Sequence, residues 1–562
     1  MTMSDKENSV FTQGEGNIYT ETENENWKEE TVEDLDDEYL TEEEKLHPWK
    51  QTKTFYWSVF VASVAVLFYG IDISAISGAQ VGYKPHFHIS SRTNLVGVMV
   101  SCIYFGTFVG VFVALFTNTY FGRRFSICVA AILSTGGCLW EALAPSWQVF
   151  IPGRLIVGIS YGIIGETAPV FLAEMAPTSI RGGIVSLYQQ VITIGIFIGY
   201  LVNVIFVWVD YKVTGWRIMI GVPMVPSIIE VFLIWTAPES PRWLIKRGRL
   251  EQAKNNLLKL RLYPETAEKD FVRIKKAIEE DERLQEGKNL MLELIRLPFL
   301  RRAVLVGIME MLFQQMSGMN VFMNYIDTVF QENIHMSSRD SVAVSLFPGF
   351  VNMVSTPIVF FTIDRYGRRT LQLVTFPIMF LMLLMVLFSF YGDRKVNLAF
   401  FIIGVIFFIV AYSPGAGPVP WTFCAEVFPT YVRAAGTLVT TFFVNAFNFA
   451  LSFSWPSMEA AWGPQGSFGF YAGFNFLGII MQFLFLPETK GYTLEQMKVV
   501  FEEGLFTIAW YHIRSGWRSL RKLLGLPVSN SPLVSPYDKA VALSRAREEE
   551  LRRHSGEPVK NG

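Results

Sequence analysis

Twelve apolar stretches, each long enough to cross a lipid bilayer as a helix, constrain this sequence more than any other feature. A bilayer core about 30 Å thick needs about 20 apolar residues per helix. The predicted spans are 55–82, 95–117, 125–143, 149–172, 183–209, 217–237, 303–330, 341–363, 371–391, 397–424, 436–455 and 467–486. The expected fold class is therefore an all-α membrane protein with 12 transmembrane helices. A membrane β-barrel would instead show alternating segments of about ten residues.

The composition excludes several other classes. Only 17% of the 562 residues are charged, whereas a soluble domain carries about 25%. The net charge of -2 gives no basic excess, so no nucleic-acid partner is expected. The four cysteines lie inside apolar stretches and show no CxxC spacing, so neither a disulfide framework nor a zinc site is indicated. We expect no metal, no cofactor and no enzyme activity.

Charge also predicts the topology. Residues 1–50 hold 16 acidic residues against four lysines and few apolar ones, which is typical of a disordered tail. Basic residues concentrate in alternate short loops, and such loops face the cytosol. These basic residues are Arg123, Arg124, Arg181, Arg365, Arg368, Arg369 and Arg433. Both termini are therefore expected in the cytosol.

A long connection, 238–302, separates the first six spans from the last six. Its apolar residues recur at helical spacing, as Ala253, Leu257 and Leu260 do, with charged residues between them. This pattern is typical of amphipathic helices. The sequence thus predicts an acidic cytosolic tail (1–54), a six-helix bundle (55–237), a cytosolic amphipathic linker (238–302), a second six-helix bundle (303–486) and a cytosolic tail (487–562).

Three polar motifs occur once in each half of the chain, in the same order and at nearly the same offset. They are Gly-Arg-Arg at 122–124 and 367–369, Glu-x6-Arg at 174–181 and 426–433, and Pro-Glu-Ser/Thr at 238–240 and 487–489. The repetition predicts two pseudo-symmetric six-helix halves related by an axis along the membrane normal. Such an architecture places a substrate site near the midplane between the halves.

These motifs carry a family resemblance. Together with "PGRLIVGISYG", "PESPRWL", "QQMSGMN", "DRYGRRT", "PVPWTFCAEVFPTYVRAAG" and "PETKG", the chain resembles the sugar porter family of the major facilitator superfamily over about residues 55–501. Within that family it is most similar to fungal members. The resemblance implies a transporter that works by alternating access. We expect it in the plasma membrane, functional as a monomer in the lipid bilayer.

The charged motifs are expected at cytosolic helix ends, where ion pairs close that side when the halves approach and break when it opens. The predicted gate residues are Arg123, Arg124, Glu174, Arg181, Asp364, Arg368, Arg369, Glu426 and Arg433. The resemblance implies an Asp three residues before each Gly of the Gly-Arg-Arg motif. Asp364 fulfils this in the second half, but Thr119 stands there in the first. A neutral residue pairs less strongly with arginine, so the first half of the gate is expected to be weaker.

Asp72 lies deep in the first span, and a carboxylate in a transmembrane helix is costly enough to indicate function. Its predicted partner is Arg154 in the fourth span. Burial raises the pKa of a carboxylic acid, whereas a neighbouring guanidinium lowers it. A helix that alternately offers and withdraws the arginine can therefore load and release a proton. The resemblance points the same way, because proton symporters of the family tend to carry Asp here.

The predicted substrate site consists of amides and one indole ring. Amide side chains both donate and accept hydrogen bonds, as sugar hydroxyls do, and an indole packs against the apolar face of a sugar ring. The candidates are Gln189, Gln314, Gln315, Asn320, Asn352, Trp421 and Asn448. In a straight helix Asn320 would lie about 240° from Gln314. We therefore expect Ser317-Gly318 to break the helix, and Pro414 to Pro420 to kink the tenth span.

The leading hypothesis is a secondary active transporter that takes up a sugar or polyol with protons as the coupling ion. Three alternatives stay open: a facilitative sugar carrier without protons, a nutrient sensor with the transporter fold, and a transporter of a quinate-like acid or a secondary metabolite. Asp72 and Arg154 argue against the carrier. The tail of about 75 residues after Pro487 is short for a sensor.

Overall fold

The computed structural model of the chain describes residues 47–209, 211–334, 336–391, 394–492, 494–524, 526–527, 535–543 and 546. All secondary structure within these ranges is helical. Most of the predicted acidic tail, residues 1–46, lies outside the described residues, as does much of the C-terminal segment.

The first half consists of five long helices and a sixth, interrupted one. Its helices are α1 (Lys53–His86), α2 (Thr93–Tyr120), α3 (Arg123–Leu143), α4 (Trp147–Met175), α5 (Arg181–Phe206), α6 (Trp216–Gly221) and α7 (Met224–Leu233). Thr52 caps α1 by accepting the backbone N–H of Phe55, and its hydroxyl donates to the carbonyl of Lys259. The cap therefore also ties the start of this half to the linker.

The linker forms four helices, α8 (Pro241–Lys246), α9 (Leu250–Leu260), α10 (Pro264–Gln285) and α11 (Leu290–Arg296). Ala253, Leu257 and Leu260 are fully buried on one side of α9, while its charged residues are exposed. We call the side of the molecule that carries α8–α11 the linker face and the opposite side the far face. α1 begins at the linker face, so α2 begins at the far face.

The second half contains more interruptions. Its helices are α12 (Pro298–Met316), α13 (Met319–Glu332), α14 (Ser338–Val344), α15 (Leu346–Ser355), α16 (Ile358–Tyr366), α17 (Arg368–Phe388), α18 (Arg394–Tyr412), α19 (Val419–Val427) and α20 (Thr430–Phe485), followed by α21 (Leu494–Glu502) and α22 (Leu505–Leu523). The two predicted breaks are confirmed. Gly318 separates α12 from α13 with a φ of +98°, and residues 413–418 separate α18 from α19.

The number of spans depends on how interrupted helices are counted. Eight helices in the described part of the chain are long and apolar enough to cross a membrane, and the pair Ser338–Ser355 and Ile358–Tyr366, bent by 48°, makes a ninth. α20 covers two predicted spans on either side of a break at Gly463. The predicted spans 303–330 and 397–424 are each divided into two helices. The count of twelve therefore stays a prediction.

The two halves are in close contact at the far face. Gln80 donates to the carbonyl of Asn324 (2.6 Å), and Lys84 forms an ion pair with Glu332 (3.2 Å). α2 and α20 approach so closely that a Cβ on Gly97 would lie 2.3 Å from the carbonyl oxygen of Phe453. At the linker face an open cavity of about 640 Å³ lies between α2, the start of α11 and α20. The structure is thus closed at the far face.

Candidate functional site

The predicted pair of Asp72 and Arg154 forms in the structure. Nη1 of Arg154 lies 2.9 Å from both carboxylate oxygens of Asp72. Asp72 is 1% exposed and Arg154 2% exposed, so the pair is shielded from solvent. α4 brings the guanidinium about two turns in from the far face, next to the middle of α1. Burial of this kind is tolerated because each charge has its counterion.

Tyr161 also contacts Asp72. It lies about two turns along α4 from Arg154, on the same side of that helix. Its hydroxyl lies 2.7 Å from Oδ2 of Asp72 and 3.0 Å from the carbonyl oxygen of Tyr69. The rings of Tyr69 and Tyr161 also pack against each other, with centroids 4.0 Å apart. Asp72 is therefore held by both a cation and a hydroxyl, which fixes its orientation.

A second carboxylate, Glu141 on α3, reaches the same arginine. Its Oε2 lies 3.5 Å from Nη1 of Arg154, and the residue is 0% exposed. Glu141 was not among the predicted site residues, although the rule that identified Asp72 applies to it, since it is an acid inside an apolar span. The guanidinium therefore lies between two buried carboxylates.

Four of the predicted amides form one hydrogen-bonded cluster. Asn320 donates to Oδ1 of Asn448 (2.7 Å) and to Oε1 of Gln315. Gln315 donates to Oε1 of Gln314 (3.2 Å), and Gln314 donates to the carbonyl of Gly417 (2.6 Å) in the break before α19. The break at Gly318 turns Asn320 toward Gln315. Helix interruptions thus bring together amides that a straight helix would separate.

The other three predicted binding residues lie apart from this cluster. Asn352 is buried on α15 and accepts a hydrogen bond from Ser413 (3.2 Å). Gln189 is half-buried on α5, and Trp421 on α19 is 44% exposed. Within the part of the chain that the structure describes, neither Gln189 nor Trp421 hydrogen-bonds to the four amides.

At the linker face, Glu239 ties the loop between α2 and α3 to the segment that follows α7. Its carboxylate accepts the backbone N–H groups of Arg123 (3.1 Å) and Arg124 (3.2 Å) at the start of α3, where a negative charge complements the helix dipole. Gly122 has a φ of +96°, and a Cβ there would lie 2.5 Å from Oε2 of Glu239. Burial raises the pKa of Glu239, and these N–H groups oppose the rise.

The second half repeats this arrangement. Glu488 accepts the backbone N–H groups of Arg368 (2.9 Å) and Arg369 (3.2 Å), and Gly367 has a φ of +86°. The Pro-Glu-Ser/Thr motif of each half therefore caps the helix that begins with the Gly-Arg-Arg motif of the same half. This contact gives a physical reason for the glycine and for the glutamate in the two repeats.

The ion pairs of the predicted gate residues lie within the halves in this conformation. Arg123 pairs with Glu174 at 2.8 Å in the first half. Arg368 pairs with Glu426 at 2.5 Å and with Asp364 at 3.2 Å in the second. At the position equivalent to Asp364, the backbone carbonyl of Thr119 accepts hydrogen bonds from Trp243 and Arg247 of the linker.

The remaining gate residues bind backbone groups or lie at the surface. Arg124 donates to the carbonyl of Trp235 (2.6 Å), and Arg369 donates to that of Phe483 (2.7 Å). Arg433 donates to the carbonyl of Phe428 (3.3 Å), while Arg181 is exposed at the start of α5. Neither arginine of the two Glu-x6-Arg motifs therefore shares an ion pair with the glutamate of its own motif among the described contacts.

Known proteins share both the sequence pattern and this fold. The family described as "Sugar (and other) transporter" matches residues 58–501, a range that contains nearly all of the first half, the linker, the second half and every predicted site residue. This chain belongs to the sugar transporter family. The predicted resemblance to the sugar porters is thereby confirmed.

Individual relatives of this sugar transporter cover most of its length. The galactose-proton symporter of Escherichia coli (strain K12) is 31% identical over 79% of this chain and 93% of its own. The myo-inositol transporter FST1 of Gibberella moniliformis is 30% identical over 84% of this chain and 82% of its own. The structure of the proton:xylose symporter XylE bound to 6-bromo-6-deoxy-D-glucose superimposes with a TM-score of 0.68 at 26% identity, covering 80% of this chain and 99% of the symporter. The expected all-α membrane fold of the major facilitator superfamily is confirmed.

Three contacts in this sugar transporter were not predicted from the sequence: those of Tyr161, of the two repeated glutamates and of Glu141. Tyr161 carries no charge, and tyrosines are common in apolar helices, so no signal distinguished it. Glu239 and Glu488 were recognised as repeated residues, but the repeat alone did not identify the backbone groups that they bind. Glu141 carried a usable signal, because an acid in a membrane span needs a partner.

Proposed function

We propose that this sugar transporter is a secondary active transporter that takes up a sugar or a polyol together with protons by alternating access. The observation that carries the proposal is the buried pair of Asp72 and Arg154 in the first half, together with the amide cluster in the second half. The names of the galactose-proton symporter and of the proton:xylose symporter support proton coupling, and the myo-inositol transporter supports a polyol. No cofactor is needed, since the proton is the coupling ion.

Asp72 would carry the transported proton. When Asp72 is ionised it holds Arg154, which joins α1 to α4. Protonation removes the charge attraction, so the two helices separate more readily. A proton therefore biases the equilibrium between two arrangements of the bundle, and it does so only by its different free energy of binding to each.

Gln314, Gln315, Asn320 and Asn448 would bind the hydroxyls of the solute. These amides hydrogen-bond to one another. A polyhydroxylated solute can replace those bonds one for one, because hydroxyls and amides both donate and accept. Trp421, exposed on α19, would cover the apolar face of the ring. Gln189 and Asn352 would reach the solute from the two halves.

The linker face would be the cytosolic side of the plasma membrane, with both termini in the cytosol, and the protein would act as a monomer. This orientation follows from the basic residues in the linker-face loops. The structure would then be an inward-facing state, since the far face is closed by contacts between the halves. The nine gate residues would form pairs between the halves only when the linker face closes.

A direct test is uptake of labelled solutes by cells that lack their own sugar transporters. The panel contains hexoses, pentoses, disaccharides, inositol and quinate, each measured at acidic and at neutral pH with and without an uncoupler. We expect at least one sugar or polyol to accumulate above its external concentration at acidic pH, and the uncoupler to abolish that accumulation. Uptake that merely equilibrates, insensitive to the uncoupler, would indicate a facilitative carrier and contradict the proposal.

Loss of the ion pair at the far face is expected to favour the outward-open state. The pair of Lys84 and Glu332 joins α1 to α13 across the halves and must break when that face opens. A partly exposed pair contributes about 0.2–1 kcal/mol, so Lys84→Met should raise the open fraction by about 1.5- to 5-fold. The opening is measured as the rate at which a thiol reagent added outside the cell labels the cysteine of Val96→Cys. Val96 is buried beside the ion pair, and the four native cysteines are buried and should not react.

The double variant Lys84→Glu with Glu332→Lys exchanges the two charges and keeps the ion pair, so it should label at the original rate. Lys254→Met removes an ion pair of the linker, Lys254 with Glu268, and should leave the rate unchanged. Equal labelling of Lys84→Met and the parent would show that the pair does not hold the far face closed.

Asp364→Ala is expected to lower the rate of uptake by about two-fold while surface expression persists. The carboxylate is 80% exposed, and an exposed i,i+4 pair contributes about 0.3–0.5 kcal/mol. Arg368 also keeps Glu426 as a partner, which limits the effect. The matched control is Thr119→Ala in the first half, whose hydroxyl donates only to the carbonyl of Leu115 in its own helix. Unchanged uptake by Asp364→Ala would remove that residue from the gate.

A further inference from the structure

Arg154 faces two acids, and only one of them belongs to the predicted proton pair. Asp72 on α1 and Glu141 on α3 both approach the same nitrogen, Nη1, at 2.9 and 3.5 Å. All three residues are almost completely buried. If both acids were ionised, the site would carry a net charge of -1 in the interior of the bundle, which is costly. A proton on either acid makes the site neutral.

The surroundings of Glu141 hold no second cation for it among the described residues. Arg217 on α6 approaches the same end of α3, but its Nη1 donates to the carbonyls of Ala142 and Ala144 (2.8 Å each). The titratable or charged groups that interact with Glu141 from its own and neighbouring helices are Tyr83 and Asp72 of α1, Cys102 of α2, Cys138 of α3 and Arg154 of α4. Arg154 is therefore the only positive charge within this group.

Hydrogen bonding also distinguishes the two acids. Asp72 has both oxygens bonded, by Arg154 and by Tyr161. Oε1 of Glu141 is buried and has no partner among the described residues. A buried carboxylate oxygen without a donor is unfavourable. In this conformation the proton is therefore better placed on Glu141, and the charge on Asp72.

We propose that Glu141 is the alternative counterion of Arg154, so that Glu141 and Asp72 share one proton. In one state Glu141 is protonated and Arg154 pairs with Asp72. In the other the proton has moved to Asp72 and Arg154 pairs with the Glu141 carboxylate, so one O–H bond breaks as the other forms and the net charge stays zero. Without Glu141, protonation of Asp72 would leave the guanidinium buried and unpaired, which is strongly unfavourable. Glu141 acts through Arg154 and is thus a positioning residue; the inference rests on the proposed proton coupling.

Glu141→Gln tests this, because glutamine has nearly the same shape and carries no charge. The variant should shift the pH of half-maximal uptake to lower pH by more than about one unit, because Asp72 becomes harder to protonate. The measurement is the initial rate of labelled-solute uptake across a pH series. Complete loss of uptake at every pH, with solute exchange retained, would also agree with the proposal. An unshifted profile, a shift to higher pH or loss of both activities would overturn it.

Two further variants keep the result interpretable. If Glu141→Gln does not reach the membrane, Glu141→Asp replaces it. The shorter side chain draws the carboxylate away from Arg154, so the pH of half-maximal uptake should shift by less but in the same direction. An unshifted pH of half-maximal uptake would overturn the inference. The matched control is Glu230→Gln on α7, a buried acid whose two oxygens have no hydrogen-bond partner among the described residues, which should leave the profile unchanged.

The Asp72→Asn variant distinguishes failure of this inference from failure of the proposed function. Loss of accumulation in Asp72→Asn together with an unshifted profile in Glu141→Gln would overturn the inference alone. Accumulation that survives Asp72→Asn would overturn both.

Discussion

Asp72→Asn is expected to abolish accumulation of the solute against its gradient while exchange of internal for external solute continues. Asparagine keeps the shape of the side chain but cannot take up or release a proton in the physiological range. It also removes the charge that holds Arg154 at 2.9 Å, so α1 and α4 lose their ionic contact in every state. The measurement is the ratio of internal to external labelled solute at acidic pH, which should fall from above one to one.

The control for this variant is Asp327→Asn. Asp327 is another fully buried acid, on α13, and it accepts a hydrogen bond from Ser345 rather than from a cation. We expect it to retain accumulation when its surface level matches that of the parent. A ratio above one in Asp72→Asn would show that the proton is carried elsewhere.

Asn320→Ala is expected to raise the KM for the solute at least ten-fold, with little change in the amount of protein at the membrane. The variant removes one donor and one acceptor from the site and leaves the oxygens of Gln315 and Asn448 without the bonds that Asn320 donates. A solute hydroxyl that would bind Asn320 is left without a partner in the site, which costs about 1–3 kcal/mol, and 1.4 kcal/mol corresponds to a ten-fold change in affinity. The measurement is the concentration dependence of initial uptake rates.

Asn448 and Asn445 provide a matched pair on α20 for the same measurement. Asn448 accepts the hydrogen bond of Asn320, whereas Asn445 donates to the carbonyl of Thr441 within its own helix. Asn448→Ala should raise the KM and Asn445→Ala should not. A similar KM in all three variants and the parent would place the solute away from the amide cluster.

The sequence was sufficient to predict the ion pair of Asp72 and Arg154 because the membrane restricts where charges can lie. An acid in one apolar span and an arginine in another have few partners available, so Asp72 and Arg154 could be matched without coordinates. Glu141 carried the same signal as an acid in an apolar span, but the sequence did not identify its partner. The distance to Arg154 was needed to assign it.

The contacts within the amide cluster could not be predicted from helical periodicity. The spacing of Gln314 and Asn320 predicts opposite directions on a regular helix, and Gly318 indicated a break without giving its angle. The geometry of the break, and the kink that places the carbonyl of Gly417 beside Gln314, depend on packing between helices that are distant in sequence. The same interruptions left the number of spans undecided by length and hydropathy alone.

The repeated motifs were recognised from the sequence, but their contacts were not. The offset between the two Pro-Glu-Ser/Thr motifs indicated a duplication, yet it could not identify the start of α3 or α17 as the group that each glutamate caps. The structure also shows two of the predicted gate arginines, Arg123 and Arg368, paired inside their own halves. A state-dependent gate forms its contacts between halves in one conformation only, so a sequence cannot indicate which of them a given structure contains.

Transport by the purified protein in lipid vesicles tests the central claim most directly. Labelled galactose, xylose and myo-inositol are offered to vesicles with an imposed pH gradient and to vesicles without one. The acidic solution lies on the side of the membrane where the far face of the protein is exposed. The account predicts that at least one solute accumulates above its external concentration only when the gradient is present, and that a protonophore releases it. Equal uptake with and without the gradient, or no uptake of any solute at any pH, would contradict the account.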